Sequence, residues 1–280
     1  MESQYVYEDL SFRQNNRNAV RNNLECEAII LELQRIEQFL DDFGLLSIDK
    51  NYIFCQKRVF SLQCLLTSTE LTVGSIISCC ESACIADANC LLRKYRDDLF
   101  FYLYAVVYDI DKKIGENAKR IEKMEKRIVS WLANGLSDFH IGELLQSIGI
   151  SPFLREAVKK YNLQQSFNSI GDRLNNYVHS NGYSYYNMNY MSYQEYSNLL
   201  KQVLADMKYI TVSFIFLLCL CSPIMIMSTD YLDYLDGGEV PSEGLQYSVA
   251  PFIEEFVKVN IDLIDKNGID YLKDNTPMKF

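Results

Sequence analysis

Residues 91–108 read LLRKYRDDLFFYLYAVVY, and this stretch decides the fold class. Its first half is amphipathic, with Leu92, Tyr95 and Leu99 on one side and Arg93, Lys94, Asp97 and Asp98 elsewhere. From Leu99 to Tyr108 it is apolar on every side. A helix that is hydrophobic all round belongs inside a core, so other helices must surround this one.

The flanking sequence supplies them. From Asn51 to Asp109 there is one glycine, Gly74, and no proline, which predicts two or three helices with a loose break around 67–72. Leu24, Ala28, Leu31, Ile36 and Leu40 keep a helical rhythm that starts near Asn18, and Gly44 is expected to stop it. The charged segment 111–127 carries Ile114, Ala118, Ile121 and Ile128 on one stripe, as a solvent-facing amphipathic helix does. Leu163, Phe167, Ile170, Leu174, Tyr177 and Val178 define the apolar face of a helix over about 163–180, closed by the turn signal Asn181-Gly182. A last helix starts at Pro251, with Phe252, Phe256, Val259 and Leu263 inward. The expected class is all-α: a helical bundle in a single domain over 1–280, with a flexible arm at 1–15 and a helical insertion at 111–160.

Composition bounds the function. The chain of 280 residues is 49% hydrophobic and 23% charged, the balance of a globular protein, and only 12 glycines and 5 prolines argue against an all-β chain. A net charge of −10 opposes a broad basic surface for nucleic acid and leaves room only for a local basic site. Nine cysteines without a disulfide spacing, behind a charged opening that lacks a signal peptide, are read as reduced thiols of a cytoplasmic protein. Residues 209–229 carry no charge and have the length of a membrane span. Ser213, Ser222 and the cysteines dilute that run, Pro223 interrupts it and no basic cluster flanks it, so a buried central helix is expected and a membrane role disfavoured.

Two histidines, His140 and His179, are the first places to look for proton transfer near neutral pH. His179 has the richer surroundings. Asp172, Asn176 and His179 align at i, i+4 and i+7, and Arg173 precedes His179 by six positions. A guanidinium holds phosphate oxygens bidentately while a nearby imidazole moves a proton, a pairing that requires no metal.

RLNNYVHSNG, Arg173 to Gly182, resembles the Arg-x4-6-His motif of the HEPN superfamily, helical-bundle domains that include metal-independent ribonucleases of prokaryotic defence and toxin–antitoxin systems. The resemblance implies a HEPN-like core with additional helices, and a homodimer whose shared site receives Arg173 and His179 twice. It further implies RNA as substrate, with His179 transferring the proton, Arg173 clamping the phosphate and Asn176 assisting. The same likeness implies no cofactor, and either an antitoxin or a neighbouring defence protein as partner. The superfamily also has inactive members, so a non-catalytic adaptor of a defence system is the alternative, and a membrane effector anchored through 209–229 a second.

Three further clusters have two readings each. Arg93 and Arg96 could bind substrate phosphate, or Arg93 with Asp97 and Lys94 with Asp98 could satisfy one another at i, i+4. The tyrosines from Tyr183 to Tyr196, Tyr183 and Tyr185 foremost, could stack RNA bases or cover the bundle. Cys79, Cys80, Cys84 and Cys90 lack a C-x2-C pair and are read as small buried hydrophobes, with no metal assigned. No P-loop, dinucleotide, zinc-protease or serine-esterase motif is present.

Overall fold

In the computed structural model, residues 14–56, 58–115, 117–133, 141–186, 189, 196–240 and 247–280 are described. Among the described residues the regular elements are helices, apart from one two-stranded hairpin. In chain order the elements are α1 (Leu24–Ser47), β1 (Tyr52–Cys55), β2 (Arg58–Ser61), α2 (Gln63–Glu81), α3 (Ile85–Ile114) and α4 (Ala118–Leu132). There follow α5 (Ile141–Ile150), α6 (Arg155–Lys160), α7 (Leu163–Val178), α8 (Tyr183–Tyr186), α9 (Tyr196–Cys221), α10 (Thr229–Asp236), α11 (Pro251–Asn260) and α12 (Gly268–Asn275). Helical residues 14–21 precede α1. The chain divides into two compact units, each assembled from three separate segments. One holds 1–38, 68–96 and 169–208, the other 39–67, 97–168 and 209–280.

The second unit contains the all-apolar half of α3. Every residue from Leu99 to Tyr108 is at most 4% exposed, as the sequence demanded. The apolar half of α9, Ile210 to Cys221, is no more exposed than 6%. This helix is long and apolar enough to cross a membrane, yet its side chains are packed within the protein. Phe214 lies edge-to-face against Phe43 and Tyr102, and Phe216 against Tyr161. Ser222 and Pro223 end α9, because proline cannot continue the hydrogen-bond ladder.

Residues 52–61 correct one expectation, since they form an antiparallel hairpin in place of a helix. Tyr52 pairs with Ser61, Ile53 with Phe60, Phe54 with Val59 and Cys55 with Arg58. Ile53 and Cys55 are buried while Tyr52 and Phe54 face out, the period-two alternation of a half-buried strand. A buried amide anchors the hairpin base: Asn51 donates to Ser47 Oγ and Gln63 Oε1 at 2.8 Å each and accepts from the Tyr102 hydroxyl. At the far end the Phe54 carbonyl accepts from Lys112 Nζ at 3.1 Å, and Glu125 accepts from the Tyr108 hydroxyl at 2.7 Å.

Other boundaries also move. Helix α1 runs through Gly44 to Ser47, and Gly44 serves there as a close approach, since a Cβ would sit 3.1 Å from Gln63 Nε2. The expected break at 67–72 is continuous helix. The chain turns instead at Ala83, which adopts a left-handed φ of 59°. Segment 111–127 is interrupted at Gly115 (φ 78°), and Asn117 caps α4 by accepting from the Arg120 amide. On α4 the buried residues are Met124 and Ile128, whereas Ile114 is 46% exposed. Arg120 reaches inward to the buried Asp111, which also accepts from Ser151 Oγ. On α11 the inward residues are Ile253, Val257 and Asn260, while Val259 is 70% exposed; Phe256 stacks on Phe39 at 4.2 Å.

The first unit packs the N-terminal part of α1, the later part of α2, the start of α3, the end of α7 and the first half of α9. Leu33 and Ile36, Val73 and Ile76, Leu92 and Tyr95, Leu174, and Leu200 and Val203 are all at most 1% exposed. Lys201 and Lys208 on α9 pair with Glu25 and Glu32 on α1.

Candidate functional site at the end of α7

Helix α7 follows its apolar pattern up to its last turn. Leu163, Phe167, Ile170 and Leu174 are buried, Tyr177 is half-buried and Val178 is 39% exposed. The helix ends by a mechanism its sequence does not advertise. Ser180, not Gly182, takes the left-handed conformation (φ 48°); the Asn181 amide bonds to the Asn176 carbonyl at 2.9 Å and the Ser180 amide to the Tyr177 carbonyl at 3.3 Å. This is the reciprocal pattern of a Schellman motif, and it satisfies carbonyls that would otherwise lack partners.

His179 is the helix-capping residue, exposed, with its amide bonded to the Asn175 carbonyl at 3.0 Å. Among the described residues its imidazole makes no hydrogen bond and no ion pair. Arg173 is engaged within the chain. Its Nη2 pairs with Asp206 on α9, whose other oxygen accepts from Gln202 Nε2 at 3.0 Å. The side chain of Asp206 is 6% exposed and that of Arg173 32%; the Arg173 Nε is buried and meets no acceptor among the described residues. Burial raises the Asp206 carboxyl above its ordinary value, and the Arg173 guanidinium offsets part of that rise.

Asn176 donates to the Tyr185 hydroxyl at 3.3 Å and accepts from Asn181. Tyr185 also stands edge-to-face to Tyr177 at 5.0 Å, so this tyrosine covers α7. Burial, and after it Tyr185, raises the Tyr177 hydroxyl above its ordinary value. Tyr183 is 79% exposed. Arg93 is half-buried, and Arg96 is 2% exposed with its guanidinium against Gly171 of α7. Lys94 donates to Ser68 and Thr72 on α2 at 3.0 and 3.1 Å. Tyr190 and Tyr193 of the tyrosine series, and His140, lie outside the described residues.

Within one chain, then, the structure joins Arg173 to Asp206 and Asn176 to Tyr185, and the His179 side chain has no hydrogen-bond partner among the described residues. Six helical steps of 100° put Arg173 and His179 about 120° apart around the axis and about 9 Å along it, so the two side chains leave α7 in different directions. Sequence reasoning missed Asp206. Its signal was its position: it falls three residues after Val203 and four before Ile210, on the buried stripe of α9, where a carboxylate needs a cationic partner.

Of the four cysteines expected to be buried, only Cys80 is; Cys79, Cys84 and Cys90 are half-buried. Cys80 is fully buried, and burial pushes its thiol well above the usual range, while the Cys219 thiol is pushed up to about 12. Among the described residues no group of three or more His, Cys, Asp or Glu side chains gathers around a metal-sized space.

The Arg173–Asp206 pair makes a stability prediction. An acid whose folded pKa lies above its unfolded one binds more protons when folded, so its contribution to stability falls as pH rises through that window. Removing Arg173 removes the offset, raises the carboxyl further and deepens the loss above the window. Arg173→Ala should therefore cost about 2 kcal/mol near pH 8, discounted from a fully buried pair because the guanidinium is partly wet. The cost should be clearly smaller near pH 4, where the variant's carboxyl carries a proton. Urea unfolding at both pH values checks this, and equal losses would contradict it.

Comparison of the chain with protein-family models, with curated proteins and with solved structures finds no match.

Proposed function

We propose that the protein is a metal-independent RNA endonuclease of the HEPN type, acting in a defence or toxin setting, whose site is completed when two copies bring their α7 ends together. The observation that carries this reading is the exposed imidazole of His179 at the helix end, on the same helix as a guanidinium held by a buried carboxylate. A second copy supplies what one chain lacks, since the two groups diverge around α7. An RNA substrate also implies a cytoplasmic setting.

In the reaction proposed, one His179 takes the proton of a ribose 2′-hydroxyl as that oxygen bonds to the adjacent phosphorus. The bond from phosphorus to the 5′ oxygen breaks, and the imidazolium of the partner's His179 protonates the leaving oxygen. Arg173 balances the charge that develops on the non-bridging oxygens, worth several kcal/mol in a dry pocket. Asn176 sits one turn before His179 and serves as a polar contact, and Tyr183 offers an open ring for a base.

Incubation of purified protein with single-stranded RNA in excess chelator tests the reading. The expected products end in 2′,3′-cyclic phosphate and 5′-hydroxyl. Intact RNA across a panel of sequences would overturn it.

A second reading, a non-catalytic adaptor, is favoured by a different observation. On one face of the hairpin Tyr52, Phe54 and Val59 are each more than half exposed, as apolar side chains awaiting a protein partner would be. It expects no cleavage, and loss of a complex on Phe54→Ser.

A further inference from the structure

We infer that Asp206 is a positioning residue of this site, fixing the Arg173 guanidinium in the orientation in which it receives a phosphate. The inference rests on the nuclease reading and adds to it a residue that the Arg/His motif does not contain.

The argument starts from flexibility. A free arginine side chain carries about 2 kcal/mol of rotamer entropy, which a phosphate contact would have to overcome at each turnover. Here one end of the guanidinium is already tied, because Nη2 donates to Asp206. Asp206 cannot drift with it: its carboxylate is nearly enclosed on α9, and Gln202 Nε2 occupies its second oxygen at 3.0 Å. Tyr177 lies four residues after Arg173, on the same face of α7. A guanidinium has five donors, so a carboxylate on one edge leaves others for phosphate. The arrangement orders Arg173 before RNA arrives.

The test compares Asp206→Asn, Gln202→Ala, Arg173→Lys, His179→Ala and the double variant Asp206→Asn/Arg173→Lys in RNA cleavage. Asp206→Asn keeps the shape and one acceptor, and Gln202 is exposed, so Gln202→Ala perturbs the same carboxylate from the surface should the first variant fold poorly. Asp206→Asn is expected to lower kcat at least ten-fold with a smaller change in KM, and Gln202→Ala to lower it less. The double variant should be no worse than Arg173→Lys alone, because both act through one guanidinium. In a 15N–1H spectrum the Arg173 Nε–H resonance, sharp in the wild type, should broaden in Asp206→Asn. Wild-type kcat in both Asp206→Asn and Gln202→Ala, alongside an inactive His179→Ala, would overturn the positioning role and leave the nuclease standing. Cleavage by His179→Ala at the wild-type rate, or none by the wild type, would overturn both.

Discussion

Replacing His179 by alanine is expected to reduce RNA cleavage about a thousand-fold while shifting the unfolding free energy by less than about 0.5 kcal/mol. Both halves follow from its placement. The side chain is exposed beyond the last turn of α7, and the helix end is closed by backbone bonds from Ser180 and Asn181 that need no imidazole. Nothing in the packing therefore depends on the ring, whereas the proposed chemistry loses both its base and its acid. Cleavage assays beside urea titrations read the two effects separately. A variant that unfolds, or one that cleaves normally, would contradict the expectation.

Gly171→Ala should have the largest effect on stability, and with a sign opposite to the usual one. In a helix interior alanine is ordinarily better than glycine by about 1 kcal/mol. At Gly171 a Cβ would overlap the guanidinium of Arg96, a side chain 2% exposed that would have to shift within the interior. Forcing an atom into a filled interior costs about 3 kcal/mol, enough to reverse the propensity gain. The midpoint of urea unfolding should fall markedly, and a rise would show that the helix gives way there. Gly142, where a Cβ would meet nothing, supplies the control in α5: Gly142→Ala should be neutral or stabilising.

The elements that the sequence made legible were those with one dominant physical signal. Leu99–Tyr108 is apolar on all sides and was expected in the core, Ile210–Cys221 was expected there with a membrane span as the alternative, and Pro223 and Pro251 mark the end of α9 and the start of α11. The hairpin at 52–61 escaped because its turn contains neither glycine nor proline, so Gln56 takes φ 44° without announcing it. The break between α2 and α3 escaped for the same reason, through Ala83. On α11 the apolar residues outnumber the inward positions, and packing of Phe256 against Phe39 chose a face rotated from the expected one.

At the candidate site, residue types were readable and partners were not. Arg173 and His179 stand out as the cation and the imidazole of one helix. That the cation meets Asp206, 33 residues later, is a property of how α7 and α9 pack in the first unit, which no local spacing encodes. Tyr183 and Tyr185 have equal claims on paper. The hydrogen bond from Asn176 and the edge-to-face contact with Tyr177 separate the ring that covers α7 from the one that faces solvent.

The claim on which the rest depends is that two copies share one catalytic pocket. It is tested most directly by measuring RNA cleavage per wild-type chain while His179→Ala protein is added in increasing proportion. A shared pocket predicts that the inactive chains poison the active ones, so activity falls as wild-type pairs are diluted out. Activity that stays proportional to wild-type chains alone, whatever the excess of the variant, would contradict it.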